Sequence, residues 1–135
     1  MDANLHEAGK WFRQGERDLV SSGNSLSTSD YEWACFQAQQ SAEKSLKAIL
    51  YAKGFRKILT HSVYDLVREI GTFDSSFMEL KKEARVLDAV YITTRYPDSI
   101  VGDLTPSEYF ELEDAEECIR CAELILKKAG TFLSI

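Results

Sequence analysis

The sequence predicts an all-α fold, an up-and-down helical bundle of about five helices in one domain spanning residues 1–135, with its core between about 5 and 129. Three observations predict it. Apolar residues recur at steps of three and four along most of the chain, and no segment shows the alternation of a half-buried strand. Serine, threonine, proline and glycine fall where helices start and stop. A chain of 135 residues is long enough to bury about two-thirds of its unfolded surface around one core, and too short for two ordinary ones.

The first helix is expected over Asp2 to Ser21, with Leu5, Ala8, Phe12 and Leu19 at helical spacing and Trp11 and Val20 beside them. Ser21-Ser22-Gly23-Asn24 reads as its break, and Ser29 or Asp30 as the next N-cap. The second helix, about Asp30 to Lys53, carries Ala34, Ala38, Ala42, Leu46 and Ile49 on one side and is closed by Gly54. Its early small residues allow another helix to approach closely. A short third helix is expected from Thr60, whose hydroxyl can cap it, through Val63, Leu66, Val67 and Ile70 to Gly71. The fourth starts near Ser75 or Ser76, where Ser76 and Glu79 have capping-box spacing, and runs through Phe77, Leu80, Ala84, Leu87 and Tyr91 until Pro97 forbids it. The fifth has the clearest start, with Thr105 as N-cap, Pro106 at the first helical position and Glu108 three residues after the cap. Its buried stripe is read as Leu112, Ala115, Ile119, Ala122, Leu126 and Ala129, with Gly130 as the stop.

Composition narrows the function. A formal net charge of −6 is unsuited to gripping long nucleic acid by bulk charge, although a local basic patch remains compatible with it. Acids gather in the last third (Glu108, Glu111, Glu113, Asp114, Glu116, Glu117), whereas Lys44, Lys47, Arg56, Lys57, Lys81 and Arg85 come earlier. That asymmetry predicts an acidic and a basic surface. Three cysteines, an odd number, give no disulfide framework, and the charged N-terminal pattern lacks the features of a signal peptide. A reducing, cytoplasmic setting is expected, with no membrane span.

No Gly-rich phosphate loop, G-x-S-x-G, H-E-x-x-H or Glu-x-x-His pair is present, so neither a metal nor a cofactor is expected. Cys118-Ile119-Arg120-Cys121 lies mid-helix, where two small apolar-like side chains in a helix contact explain it better than redox or zinc chemistry. Arg56 and His61 have a spacing that suits RNA cleavage, the histidine moving a proton and the arginine stabilising a phosphate; alternatively His61 and Asp65 form a local pair. Lys44 either neutralises a phosphate or joins a solvated charge run with Glu43 and Lys47. Arg95-Tyr96-Pro97-Asp98 stands out because ending a helix does not require these four residues together. Arg85, Asp88, Ile92 and Arg95 would share one face of the fourth helix, with Tyr96 offering a ring and a hydroxyl. Arg95 is expected either to fork to a phosphate or to pair with Asp98 or an acid of the fifth helix.

These residues resemble the HEPN domain family. The resemblance rests on Trp11 with Asp18-Leu19, the second-helix string from Ala34 to Ala48, His61-Ser62-Val63-Tyr64-Asp65-Leu66, and Arg95-Tyr96-Pro97-Asp98, and it covers nearly the whole chain. It implies a dimerising helical bundle, commonly encoded beside a minimal nucleotidyltransferase, with roles in nucleotide or RNA binding. Several branches of the family are RNases, often the toxin half of toxin-antitoxin pairs, and place an arginine, four to six residues and then a histidine at a dimer cleft. Here no histidine follows Arg95, and Arg56 and His61 meet the spacing in a different part of the chain. The resemblance therefore implies a homodimeric binding module, with an RNase toxin or a ligand-free structural protein as alternatives. Arg95, Tyr96, Asp98, Arg85, Lys44 and His61 are its expected ligand-binding residues, and Arg56 and His61 its catalytic pair if it cuts RNA.

Overall fold

The computed structural model describes residues 2–135, and all regular structure among them is helical. The helices are α1 (Ala3–Ser27), α2 (Tyr31–Ala52), α3 (Val63–Gly71), α4 (Lys81–Asp88), α5 (Pro106–Tyr109) and α6 (Leu112–Leu133), with 3-10 turns over Ser75–Leu80 and Pro97–Ser99. The long helices α1, α2 and α6 pack on one another, and α3 and α4 close the remaining side of α2. No helix among the described residues is long and apolar enough to cross a membrane.

α2 is the central element. Ala34, Cys35, Ala38, Ala42, Leu46 and Ile49 are fully buried, and so are Ser41 and Ser45 on another side of the helix. A helix buried nearly all round must have neighbours on every face. On the α1 side the approach is close because Gly15 has no side chain: a Cβ there would lie 3.1 Å from the Ser41 carbonyl oxygen and 3.3 Å from the Ser45 nitrogen.

Several helix ends differ from the sequence expectation. α1 continues through Ser21-Ser22-Gly23-Asn24, because Ser22 faces inward and donates to the Ala34 carbonyl at 2.6 Å while Gly23 faces open solvent. The turn falls at Thr28 to Asp30, where Ser29 takes a left-handed φ of 64°. α3 begins at Val63, three residues after Thr60, with Ser62 as the N-cap accepting from the Asp65 N–H. Asp74, rather than Ser76, caps the 3-10 turn that leads into α4. Thr105, Pro106 and Glu108 form the expected capping box, but it opens only the single turn of α5. Phe110 then leaves helical geometry to bury its ring, and a second box from Glu111 and Asp114 starts α6. α6 buries Cys118, Cys121 and Ile125 with Ala115, Ala122 and Ala129, whereas Leu112 is exposed. Gly130 lies inside the helix against the Phe12 ring, with 3.1 Å left for a Cβ.

The shortening of α4 shapes the site. Its regular ladder stops at Asp88, and residues 89 to 95 continue as hydrogen-bonded turns. The carbonyls that would accept from the next helical N–H groups accept from side chains instead: Thr93 Oγ1 on Ala89 at 2.9 Å, Thr94 Oγ1 on Val90 at 2.7 Å, and the Arg95 guanidinium on Tyr91. Such local side-chain bonds compete with helix, and the β-branched run Ile92-Thr93-Thr94 weakens it further.

Asp88 leaves the fourth helix for the start of α3. Its carboxylate accepts from Ser62 Oγ at 2.8 Å and from the Val63 and Tyr64 N–H groups at 2.6 and 3.2 Å, so an anion sits where the helix dipole favours one. Asp88→Ala is expected to cost about 2 kcal/mol, since it removes a charge-assisted cap with three donors. Urea denaturation checks this, and an unchanged midpoint would show that Ser62 alone holds the helix end.

Candidate functional site

Gln39, Glu43 and Lys47 lie four residues apart on one line of α2, and each is at most 5 % exposed. Buried charge is tolerated only when paired and hydrogen-bonded. Lys47 Nζ meets Glu43 Oε2 at 2.8 Å and lies 5.8 Å from the Trp11 ring centre, while Gln39 Nε2 donates to Glu43 Oε1 at 3.1 Å. Gln39 also donates to the His61 carbonyl at 3.1 Å, tying the segment before α3 onto α2.

His61 sits on the outer end of this line. Its Nδ1 is 3.2 Å from Glu43 Oε2, its ring stacks on Tyr91 with centroids 5.3 Å apart, and its side chain remains 57 % exposed. It precedes α3 and faces Glu43; Asp65, its expected local partner, bonds Thr60 Oγ1.

Tyr91 connects His61 to Arg95. The Arg95 guanidinium lies 4.5, 4.6 and 5.2 Å from the ring centres of Phe36, Tyr91 and Tyr96. Its Nε and Nη2 donate to the Tyr91 carbonyl at 3.0 and 2.7 Å. No carboxylate pairs with it among the described residues, neither Asp98 nor an acid of α6. A planar, weakly hydrated cation suits such an aromatic bed, and the arrangement leaves it positive. Its remaining N–H groups are available to an anion, with the exposed Tyr96 ring beside them.

The other sequence candidates lie apart from this cluster. Arg85 is exposed, over the Tyr64 ring at 5.1 Å, and Asp88 is committed to α3, so the two do not line a groove with Arg95. Asp98 is exposed in the 3-10 turn. Lys44 is bound to Asp18, bridging α2 to α1. Arg56 bonds Asn4 and the Phe55 carbonyl and shares no partner with His61. The sequence places Glu43 and Lys47 with Lys44 in a solvated charge run and Tyr91 on the apolar spacing of the fourth helix, and it singles out neither Gln39 nor Tyr91 as a site residue. The available signal was polar residues recurring every fourth position on a helix otherwise lined with alanine, leucine and isoleucine.

The three cysteines are buried, and no metal-holding cluster of histidine, cysteine and carboxylate occurs among the described residues. The contact with Cys35, then burial, pushes the Cys118 thiol far up; burial pushes Cys121 from 9.0 to about 11. A neutral thiol is a poor nucleophile, so iodoacetamide at neutral pH is expected to leave both unmodified in the folded protein and to alkylate them in urea. Mass spectrometry reads the difference. Because the folded state holds the Cys121 proton more tightly, its contribution to stability is complete below pH 9.0 and is lost as pH rises to about 11.

The fold defines a class of small all-helical bundle, here with a half-buried arginine on aromatic rings and an exposed, carboxylate-backed histidine that both contact Tyr91. The model of the HEPN domain matches residues 8–131, and the chain belongs to that family. It is similar to "Putative toxin MJ1304" of Methanocaldococcus jannaschii, at 31% identity over 96% of this chain and 90% of that protein. Among solved structures it is similar to TT1696 from Thermus thermophilus, with a TM-score of 0.86 and 35% identity, covering 92% of this chain and 96% of that one. It is also similar to ST0689, an archaeal HEPN homologue, with a TM-score of 0.77 and 35% identity over 93% of this chain and 97% of the other.

Proposed function

We propose that this chain is a cytoplasmic, homodimeric HEPN binding module, a single domain over residues 1–135, that holds the phosphate of a nucleotide or of an RNA end at Arg95. The observation that carries this reading is the guanidinium of Arg95, seated on three aromatic rings and a carbonyl with no carboxylate among the described residues to neutralise it. In that setting a phosphate gains charge-assisted hydrogen bonds without displacing an ion pair, Tyr96 offers a face for a base, and His61 stands one ring away. Calorimetric titration of ATP, other nucleotides and short RNAs tests it: the wild type is expected to bind, and no binding would remove the ligand reading.

The partner we propose is a minimal nucleotidyltransferase. Support comes from family membership and from the segment of residues 101–112, where Val101, Leu104, Tyr109 and Leu112 are exposed among acids. Co-purification with the product of an adjacent nucleotidyltransferase frame is the expected result, and separate elution would overturn it.

One observation favours a second reading, an RNase toxin of a toxin-antitoxin pair. The relative from Methanocaldococcus jannaschii carries the name of a toxin, and His61 here has a carboxylate behind its inner nitrogen and an arginine beyond Tyr91. His61 would transfer the proton and Arg95 would stabilise the phosphate. Growth arrest on expression, abolished by His61→Ala, is the outcome this reading requires; clean growth with intact RNA would sink it.

A further inference from the structure

A neutral histidine presents either a lone pair or an N–H at its outward nitrogen, and the partner of the inward nitrogen decides which. At His61 the inward nitrogen is Nδ1, 3.2 Å from Glu43 Oε2. That oxygen also receives the Lys47 ammonium at 2.8 Å, and Oε1 receives the Gln39 amide at 3.1 Å. A carboxylate taking an ammonium and an amide N–H on its two oxygens is ionised and can only accept. On the neutral ring the hydrogen therefore belongs on Nδ1, and Nε2 is left as a lone pair on a side chain that is 57 % exposed. The lock is rigid because Gln39 holds the His61 carbonyl as well as Glu43, and Tyr91 stacks on the ring.

We infer that Glu43, braced by Gln39 and Lys47, is a positioning residue that fixes His61 in the Nδ1–H tautomer, so that the site selects ligands bringing a hydroxyl donor beside a phosphate. A ribonucleotide has that combination: its phosphate meets Arg95 and a ribose hydroxyl donates to His61 Nε2. A dideoxyribonucleotide lacks it. The selection half rests on the ligand reading above, whereas the tautomer is a property of the ligand-free protein.

The chain has two histidines, so 15N-labelled protein carrying His6→Gln reports His61 alone. At about pH 8, where an ordinary imidazole is neutral, nitrogen chemical shifts are expected to show hydrogen on Nδ1 and none on Nε2. The opposite tautomer, which free histidine favours, or an even mixture would overturn the proposal. Replacing the buried pair by apolar side chains of similar volume, Glu43→Met with Lys47→Met, should preserve the fold and release the ring. The Nε2–H form is then expected to dominate, and a folded double variant that keeps Nδ1–H would also overturn it. In the wild type, adenosine 5′-monophosphate is expected to bind about fivefold tighter than its 2′,3′-dideoxy analogue, the worth of one hydrogen bond, and the double variant should lose that preference. Equal affinities in the wild type would overturn the selection half. If neither nucleotide binds, the ligand reading falls with that half, and the wild-type spectrum still decides whether Glu43 sets the tautomer.

Discussion

Glu43→Ala is expected to destabilise the protein by about 3–5 kcal/mol, because it strands the ammonium of Lys47 in a site where only 6 % of that side chain reaches solvent. The Trp11 ring, 5.8 Å from Lys47 Nζ, offsets part of this but cannot replace a carboxylate. Two further partners lose an acceptor at once, the Gln39 amide and His61 Nδ1. Urea denaturation measures the loss. The double change Glu43→Met with Lys47→Met should remain close to the wild type, since the costly feature is the unpaired charge and not the absence of the pair. Lys10→Ala supplies the contrast: its ion pair with Glu7 is 54% and 40% exposed, and its removal should shift stability by less than about 1 kcal/mol. A loss under about 1 kcal/mol for Glu43→Ala would mean that the pair is not a buried element of the fold.

Arg95→Ala is expected to weaken nucleotide or RNA binding at least tenfold, a typical loss when a charge-assisted anchor is truncated. Arg95→Lys should fall between the two, because an ammonium keeps the charge but neither lies flat on Phe36, Tyr91 and Tyr96 nor forks onto an anion. The same substitutions test whether Arg95 acts only within its own turn, where it donates to the Tyr91 carbonyl. A purely structural arginine would show a stability loss of about 1 kcal/mol with unchanged affinity. Calorimetry on the folded variants separates these outcomes, and equal dissociation constants for wild type and Arg95→Ala would remove Arg95 from the site.

The helices were legible from spacing and caps, and their ends were less so. Thr105-Pro106 with Glu108 reads correctly as a capping box, yet nothing local announces that Phe110 turns into the core and limits that helix to one turn. Gly23 resembles a breaker, but a solvent-facing glycine costs only about 1 kcal/mol in a helix, less than the packing of Ser22 and Leu26 on either side returns. Gly130 resembles a stop until Phe12 is placed against it. In these three places a tertiary contact outweighed a local preference.

For the site, Arg95 and Tyr96 were legible as residues that a helix end does not need. Their surroundings were not, because the bed beneath Arg95 depends on α4 stopping at Asp88 and on threonines that take the Ala89 and Val90 carbonyls beyond it. Glu43 and Lys47 have the spacing of an exposed helix pair, and only the packing of neighbouring elements around α2 reveals them as buried. No spacing in the chain encodes the meeting of His61 and Arg95 through their shared contact with Tyr91.

If this surface receives an anion, a 5′-phosphate should perturb it. The check is to titrate a 5′-phosphorylated single-stranded RNA into 15N-labelled protein. Saturable shifts are expected, centred on the side-chain nitrogens of Arg95 and His61 and the amides of Tyr91 and Tyr96. Shifts centred instead on Arg56 or Arg85, or no shifts at all, would contradict it.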